Sequence, residues 1–341
     1  MFRNLTSDSP STHTRLASLA ASALLLLGLA SAAYATTAVT SRPAVAGTRT
    51  APAARTTTPA GAANPCGTMK SPGRYTHVIW IWMENHSYGT IIGSKHAPYL
   101  NRLAAACGLA TNYHNITHPS LPNYVAATSG LGYSKLTAFA SDCAPAGGCT
   151  TTAASIFSQG ETWRAYEESM PSNCHRTNSG EYAVRHNPPP YYTKLKACSS
   201  SDVPYSRLAA DLAHNKLPAF SFITPNLIDD MHDGTVADGD KWLAAALPKI
   251  LNSPEYRNGS TAVFITWDEG EGGTSQRCAT NTSDVGCRVA TIVVSPSTPR
   301  GTRSGRLFNH YSLLATAEQL LHLPKLGQAA TAATMTAAFR L

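Results

Sequence analysis

Residues 78–87 read VIWIWMENHS, an apolar run that ends abruptly in polar residues. Residues 78–82 are all β-branched or aromatic and have the length of a strand, which predicts a strand buried on both faces of a parallel sheet. Glu84 and Asn85 then fall at the carboxyl end of that strand, the edge at which open α/β sheets gather their ligands. A carboxylate and an amide oxygen placed there suit a hard cation. The same pair also fits a plain surface turn.

A second strand-like run ends in the same way. Residues 261–273 read TAVFITWDEGEGG, so Asp268 and Glu269 follow an apolar strand and precede flexible glycines. Adjacent carboxylates repel each other unless water or a cation lies between them. The pair is therefore either a solvated turn or a set of metal ligands.

A third segment, residues 118–124, reads HPSLPNY. Ser120 is expected to be the N-cap of a helix, because a proline in the first turn follows it and Gly130 marks the end. The free amides and positive dipole at such a position attract anions, which suits a nucleophile that attacks phosphorus. A metal on the serine oxygen would lower the pKa of the hydroxyl. An ordinary capping serine is the alternative.

Six segments together resemble the bacterial phosphoesterase family that contains secreted acid phosphatases and non-specific phospholipases C, itself similar to the alkaline-phosphatase superfamily. The segments are ENHS (84–87), HPSLPNY (118–124), RHNP (185–188), TPNL (224–227), DMHD (230–233) and WDE (267–269). The resemblance implies a metal with ligands from Glu84, Asn85, Ser120, Asp268 and Glu269. We expect one divalent ion, and these oxygen-rich ligands are compatible with calcium, magnesium, manganese or zinc. Related nucleotide phosphodiesterases carry a threonine nucleophile just before a similar Phe-Pro-Asn, which favours Ser120 over Ser87. One departure is that better-known acid phosphatases of the family have Asp-Asp where this chain has Asp268-Glu269.

Five histidines are candidates for acid chemistry: His114, His118, His186, His232 and His310. His232 lies among three aspartates whose charges favour its protonated form, so we predict it to be the general acid. His186 matches a family position that contacts phosphate. His118 either orients the nucleophile or is an ordinary polar residue, and His310 either serves the site or simply begins a helix capped by Asn309.

Strand and helix patterns alternate along the chain. Further strands are predicted at 219–224 and 289–294, and helices at 97–107, 207–214, 242–251 and 311–321. Alternation of this kind predicts an α/β fold with a mostly parallel sheet and helices on both faces. The resemblance implies an alkaline-phosphatase-like fold. Residues 132–206 hold four cysteines and a triple proline, and are predicted to form an irregular rim or lid.

The amino-terminal 65 residues have a composition unlike the rest. Residues 1–35 contain basic residues, an apolar stretch and a small-residue cleavage pattern, which predicts a signal peptide cut after Ala35. Residues 36–65 are almost entirely small residues, proline and arginine, and are predicted to be a disordered linker. Residues 66–341 then form one catalytic domain. No later hydrophobic run predicts a membrane span, so we expect a secreted protein.

The chain has eight cysteines and a net charge of +7. An even cysteine count in an exported chain predicts four disulfides. The sequence does not fix their connectivity, and the simplest pairing joins neighbours in order. The basic residues form no cluster of the kind that binds nucleic acid. We expect a monomer that acts on a small phosphorylated substrate or on a phospholipid headgroup.

These patterns lead to one principal functional hypothesis. The chain is predicted to be a secreted, metal-dependent phosphomonoesterase in which Ser120 attacks phosphorus and forms a phosphoserine, assisted by Asn123 and the helix amides. Phosphoinositides are among its possible substrates. A phospholipase C or other phosphodiesterase is the second hypothesis, and a non-catalytic secreted metal-dependent binding module is the third. A conventional serine esterase is disfavoured because the chain has no Gly-x-Ser-x-Gly.

Overall fold

A computed structural model describes residues 64–70, 73–273 and 275–341. The predicted signal peptide (1–35) and nearly all of the predicted linker (36–65) lie outside these described residues. The domain boundaries therefore stay a prediction. None of the helices within the described ranges has the length and apolar character needed to cross a membrane.

Within the described ranges, nine strands form one sheet. They are β1 (His77–Met83), β2 (Gly108–His114), β3 (Trp163–Glu167), β4 (Asp202–Pro204), β5 (Phe220–Thr224), β6 (Thr261–Trp267), β7 (Arg288–Val294), β8 (Arg303–Ser304) and β9 (Phe308–Asn309). The α-helices are α1 (Tyr88–Ile91), α2 (Pro98–Ala106), α3 (Ser120–Ser129), α4 (Tyr133–Leu136), α5 (Cys198–Ser201), α6 (Arg207–Ala213), α7 (Val236–Leu251), α8 (Pro254–Arg257), α9 (His310–Leu320) and α10 (Thr336–Phe339).

The strand order is β4-β3-β5-β1-β6-β7-β2-β8, and β9 also pairs with β2. β1 runs parallel to both of its neighbours, β5 and β6. β7 alone runs against its neighbours, β6 and β2. The chain passes from β6 to β7 through residues 268–287, and the described part of this connection holds no α-helix. Antiparallel strands allow such a connection. The predicted α/β fold with a mostly parallel sheet is confirmed, with β7 as the exception.

The two central strands are buried on both faces, as their continuous apolar sequences predict. All seven residues of β6 and six of seven in β1 are buried. Trp80 meets the edge of Phe220 with ring centroids 4.8 Å apart, and Trp82 stacks on Phe222 at 5.6 Å. Each such side chain contributes about 1.5–3 kcal/mol by burial, so the strand ends that carry the polar residues are held rigidly.

The predicted helices form close to their expected bounds. Asn309 caps α9 as predicted, because its side chain accepts hydrogen bonds from Tyr311 N and Ser312 N. α3 ends at Gly130, whose φ of 69° is left-handed, and a Cβ there would collide with the Leu326 carbonyl. α7 begins at Val236, six residues before the apolar pattern that predicts it, because a capping box at Thr235 starts the helix with polar residues.

Residues 132–206 are irregular over much of their length, as predicted, but they also supply two strands. β3 pairs in parallel with β5, and β4 pairs in parallel with β3. These strands have five and three residues, which is too short for alternation to be visible in the sequence. The predicted lid therefore also completes one edge of the sheet.

The eight cysteines pair with their neighbours in order, which is the simplest of the pairings that the sequence leaves open. The disulfides are Cys66–Cys107, Cys143–Cys149, Cys174–Cys198 and Cys278–Cys287. The last of them closes the loop that follows β6. Disulfides of this number are typical of proteins that fold in an oxidising compartment.

Candidate active site

Glu84 and Asp268 stand one residue beyond the ends of two neighbouring parallel strands. Met83 pairs with Trp267 in the register of β1 and β6, so both carboxylates leave the sheet at the same edge. The N–H of Asp268 donates to Met83 O at 3.0 Å, and the backbone N–H of Asn85 donates to Asp268 Oδ1 at 3.1 Å. Asn85 has a left-handed φ of 47°, which asparagine tolerates better than most residues. The two acidic strand ends singled out in the sequence therefore meet.

Ser120 joins this pair from the start of α3. Its Oγ donates to Glu84 Oε2 at 3.2 Å and lies 3.5 Å from Asn85 Oδ1. The prediction that Ser120 is the N-cap is wrong, because Pro119 holds that position and the serine makes no capping bond. The physical reason is that the hydroxyl turns toward the strand ends instead of toward the amides of its own helix. Ser120 is buried, with 2% of its surface exposed.

The carboxylates in this region lie close together and are buried. Burial, and then the charges of Asp268 and Asp230, raise the pKa of Glu84 well above its usual range. Burial raises the pKa of Asp230 to about 8. Burial, and then the charge of Glu269, raise the pKa of Asp268 to about 8. Each acid thus resists ionisation, because burial removes the carboxylate from water and the neighbouring negative charges repel it.

A divalent cation fits this environment. Asp268 Oδ2 is buried and has no hydrogen-bond partner among the described residues. Together with Glu84, Asn85 and Ser120 it offers the oxygen donors that hard cations prefer. A bound cation would offset the negative charge of these neighbouring carboxylates. The donor atoms present therefore fit the metal ion that the resemblance implies.

Glu269 faces a different set of partners. Its Oε2 lies 2.8 Å from His118 Nδ1 and 3.5 Å from Asn123 Nδ2. Asn123 also braces the loop before α3, because its Oδ1 accepts from Ile116 N at 2.9 Å and Thr117 N at 3.1 Å. Burial, and then Asp142, raise the pKa of Glu269 to about 8. His118 and Asn123 therefore hold Glu269 and the entry into α3, and neither makes a hydrogen bond to Ser120 Oγ in this structure.

His186 lies between two of the carboxylates. Its Nδ1 is 3.1 Å from Asp230 Oδ2, and its Nε2 is 3.4 Å from Glu84 Oε2. Burial, and then the charges of Arg185 and His232, hold the pKa of His186 well below its usual range. The neutral ring is stacked on Tyr124, with centroids 5.6 Å apart. The structure thus brings His186 into the site.

His232 lies beside Arg185 and His186, and its side chain is partly exposed. Arg185 Nη2 is 3.0 Å from His232 Nε2, and His232 Nδ1 is 2.6 Å from Asp233 Oδ1. A guanidinium has only donors, so His232 Nε2 is the acceptor in this contact. The contact joins residues that are 47 positions apart in the sequence.

The two remaining histidines have structural contacts. His310 Nε2 is 2.6 Å from the backbone oxygen of Asp268, and His310 Nδ1 is 3.0 Å from Tyr113 OH. Burial lowers the pKa of His310 to about 4, so the neutral ring supports the strand end that carries Asp268. His114 Nε2 bonds Asn112 Oδ1 at 2.7 Å, and among the described residues no hydrogen bond joins the His114 side chain to Glu84, Ser120 or Asp268.

Sequence reasoning missed three residues of the site. Tyr124 donates a hydrogen bond to Glu84 Oε1, and its position four residues after Ser120 puts both on one helix face, a signal that could have found it. Asp230 anchors His186 and lies two residues before His232. Asp142 accepts a hydrogen bond from Leu121 N at 2.9 Å, and no motif in the sequence marks it.

Nitrogen ligands also lie close to the carboxylates. Glu84, His186 and His232 each offer a ligand atom within 4.8 Å of the others. Two similar groups, one with His118 and one with Asp202, include cysteines that are tied up in disulfides, so their sulfurs are not thiolate ligands. Among the described residues, the metal-compatible donors thus converge around Glu84.

Comparison with known proteins places this site in a family. Residues 94–324 match the group described as the Phosphoesterase family. The chain belongs to the phosphoesterase family. As a phosphoesterase, the protein is a hydrolase of phosphate ester bonds, which confirms the reaction class predicted from the sequence.

Two relatives show how much of the chain the sequence similarity covers. A phosphatidylinositol-3-phosphatase of Mycobacterium tuberculosis is 32% identical over 266 residues, covering 77% of this chain and 82% of the relative. An acid phosphatase of Aspergillus fumigatus is 27% identical over 277 residues, covering 74% of this chain. The matched region spans only 56% of that fungal protein's length.

Solved structures resemble this phosphoesterase in fold. A protein in the alkaline phosphatase superfamily from Vibrio parahaemolyticus has a TM-score of 0.51 at 14% identity, covering 80% of this chain and 73% of that one. A phosphonate monoester hydrolase of Agrobacterium radiobacter has a TM-score of 0.52 at 11% identity, with coverages of 78% and 77%. The alkaline-phosphatase-like fold predicted for the chain is thereby confirmed.

Proposed function

We propose that this phosphoesterase is a secreted, metal-dependent phosphomonoesterase that works through a phosphoserine on Ser120. The observation that carries the proposal is the 3.2 Å hydrogen bond from Ser120 Oγ to Glu84 Oε2 at the amino end of α3. A hydroxyl in that position has beside it a carboxyl group that can take its proton once ionised, and a helix terminus that favours an anion. Four disulfides support export to an oxidising compartment.

The nucleophilic step uses the serine oxygen. Its hydrogen is directed to Glu84 Oε2, which leaves the lone pairs of Oγ available to phosphorus. Attack in line with the leaving oxygen forms the Ser120–phosphate bond and breaks the ester bond. Water then cleaves the phosphoserine and regenerates the hydroxyl. The positive end of α3 stabilises the negative phosphoryl group through both steps.

The proposed ligands of one divalent ion are Glu84, Asn85, Ser120, Asp268 and Glu269. The buried, unpartnered Asp268 Oδ2 supports this assignment. When bound, the ion would supply positive charge that favours ionisation of the serine and offsets charge on phosphoryl oxygens. Oxygen-rich donors are compatible with calcium, magnesium, manganese or zinc.

We assign contact with the phosphate and protonation of the leaving group to residues that lie next to the carboxylates. His186 and Arg185 would contact phosphoryl oxygens, since Arg185 has only donors and the buried His186 Nε2 has no hydrogen-bond partner among the described residues. His232 would take up a proton at Nε2 once Arg185 has turned away and would give that proton to the leaving oxygen, while its Nδ1 pairing with Asp233 holds the ring in orientation. That role requires Arg185 to turn from His232 to the phosphate when substrate binds. Asn123 would act by positioning the entry into α3.

The proposed substrates are phosphate monoesters, with phosphorylated inositol headgroups as one class. The mycobacterial relative is named a phosphatidylinositol-3-phosphatase, and the fungal relative an acid phosphatase. Release of inorganic phosphate from p-nitrophenyl phosphate and from a phosphoinositide would support the proposal. Release of phosphocholine from purified phosphatidylcholine would instead support a phospholipase C, and binding without any release would support a non-catalytic module.

The deciding experiment compares two serine variants. Ser120→Ala should reduce turnover of p-nitrophenyl phosphate by about a thousandfold or more. Ser87→Ala is the matched control, because Ser87 lies next to the same loop and its hydroxyl donates to Glu271 O at 2.7 Å. Turnover by Ser120→Ala at the rate of the unmodified protein would refute the assignment. Both proteins are first compared by thermal unfolding.

A further inference from the structure

Asp142 places a carboxylate beside the proposed nucleophile. Its Oδ1 accepts a hydrogen bond at 2.9 Å from Leu121 N, the amide directly after Ser120. Its Oδ2 lies 4.0 Å from Arg185 Nε. The side chain keeps 26% of its surface exposed, so it lies at the mouth of the site and not in the core.

The groups that hold Asp142 are those that would bind a phosphoryl group. A free amide in the first turn of a helix and a guanidinium are both standard anion donors. α3 has ten residues, which gives its amino end a substantial dipole. An anion already lies there, and it belongs to the chain itself. Asp142 also lies close enough to Glu269 to raise the pKa of that acid, after burial.

The backbone around Asp142 is tied down. Cys143 is bonded to Cys149, and its carbonyl accepts a hydrogen bond from Tyr191 OH at 3.0 Å. Asp142 itself has a left-handed φ of 50°. On the other side, the Asp142 N–H donates to Phe139 O at 3.1 Å. Release of the carboxylate is therefore a matter of side-chain rotation, since the backbone that carries it is held on both sides.

We propose that the Asp142 carboxylate occupies an anion subsite formed by Leu121 N–H and Arg185, and competes there with the phosphoryl group of the substrate. Asp142 is then a specificity-determining residue. Its negative charge weakens binding of a doubly charged phosphate more than binding of a singly charged one. This inference rests on the proposed function only in placing the phosphoryl group next to Ser120.

A purely structural role makes the opposite prediction. Pro119 supplies no side-chain cap to α3, so Asp142 could serve only as an external cap for the helix. Loss of a cap lowers stability and would leave phosphate affinity unchanged or weakened. Removal of a competing anion would strengthen phosphate binding.

The test measures binding of inorganic phosphate by isothermal titration calorimetry to the full chain and to Asp142→Asn. The amide keeps an acceptor oxygen for Leu121 N but removes the charge. Phosphate should bind about tenfold tighter to this variant at low salt, and the difference should shrink as salt is added. Glu161→Gln is the control for net charge, because Glu161 is exposed at the amino end of β3, the edge opposite to the site.

Asp142→Ser is a second variant, to be used if the Asp142→Asn protein does not fold. Equal or weaker phosphate binding by the folded variants, or no measurable binding to any of the proteins, would overturn the inference. Failure of the proposed function is separately visible, since it would appear as normal turnover in Ser120→Ala. Tighter phosphate binding in Asp142→Asn would support the inference in either case.

Discussion

Glu84 Oε2 accepts a hydrogen bond from Ser120 Oγ at 3.2 Å, although 36 residues separate the two in the sequence. β1 delivers the carboxylate, and α3 delivers the hydroxyl. Tyr124, one turn further along α3, donates to the other oxygen of the same carboxylate. Helix and strand are therefore fixed to each other at the point where chemistry is proposed, and the positions of both side chains depend on that contact.

Metal binding should depend on Asp268. Asp268→Asn removes one charge and replaces an oxygen by an NH₂ group, so affinity for the activating ion should fall about tenfold or more, and activity with it. The measurement is calorimetric titration of EDTA-treated protein with each candidate cation, followed by phosphatase assay. Glu271→Gln is the matched control, because Glu271 lies in the same loop with its side chain 52% exposed. Equal metal affinity in the Asp268 variant would exclude that residue as a ligand.

The general-acid role of His232 predicts a dependence on the leaving group. His232→Asn should slow hydrolysis of an alkyl phosphate about a hundredfold, because an alkoxide needs a proton to leave. Hydrolysis of p-nitrophenyl phosphate should slow much less, since p-nitrophenolate leaves without one. Steady-state kinetics on the two substrates gives the ratio. An equal loss on both substrates would point to a role of His232 in phosphate binding instead.

Stability should respond to pH through Asp202, which is fully buried beside Glu167. Burial raises the pKa of Asp202 to about 8 in the folded protein, well above its value in an unfolded chain. The fold therefore favours the neutral carboxyl. This contribution to stability is fully present below about pH 4 and is lost as pH rises toward 8.

Asp202→Asn keeps a neutral group at every pH and retains an acceptor for Asn187 Nδ2, which donates to Asp202 Oδ2 at 2.9 Å. The variant should gain thermal stability relative to the unmodified protein as pH rises from about 5 to about 8, by about 2 °C or more. Thermal unfolding across this pH range measures the difference. Melting curves that stay parallel at every pH would show that Asp202 ionises normally in the folded state.

Export should remove the amino-terminal residues. Cleavage after Ala35 predicts that protein recovered from culture medium begins at Thr36, which intact-mass spectrometry or amino-terminal sequencing can check. Replacing Ala33 and Ala35 by bulky residues should retain the uncleaved chain, because signal peptidases require small side chains at those positions. Full-length protein found in the cytoplasm with reduced cysteines would contradict secretion.

Local sequence was sufficient for the strands and for the polar residues that follow them. The runs at 78–82 and 261–267 are too apolar to serve anywhere except a sheet buried on both faces, and their ends place Glu84 and Asp268 at one edge. The short strands β3 and β4 were not predicted, because strands of five and three residues are too short to show a periodic pattern. The orientation of the Ser120 side chain was predicted wrongly for a different reason. A capping serine and a catalytic serine have the same sequence pattern, and only their hydrogen-bond partners distinguish them.

The sequence by itself determined the α/β fold, the reaction class and which strand ends are acidic, because these depend on composition, periodicity and motifs within a few residues. The sequence left the disulfide pairing open, and the structure decided it. Tertiary structure alone decided that Arg185 accompanies His232, that His310 supports the backbone of Asp268, and that Asp142 caps the amide beside Ser120. Those contacts join residues from 21 to 47 positions apart. A side chain chooses such partners by packing and charge in three dimensions, and no local pattern of residues records that choice.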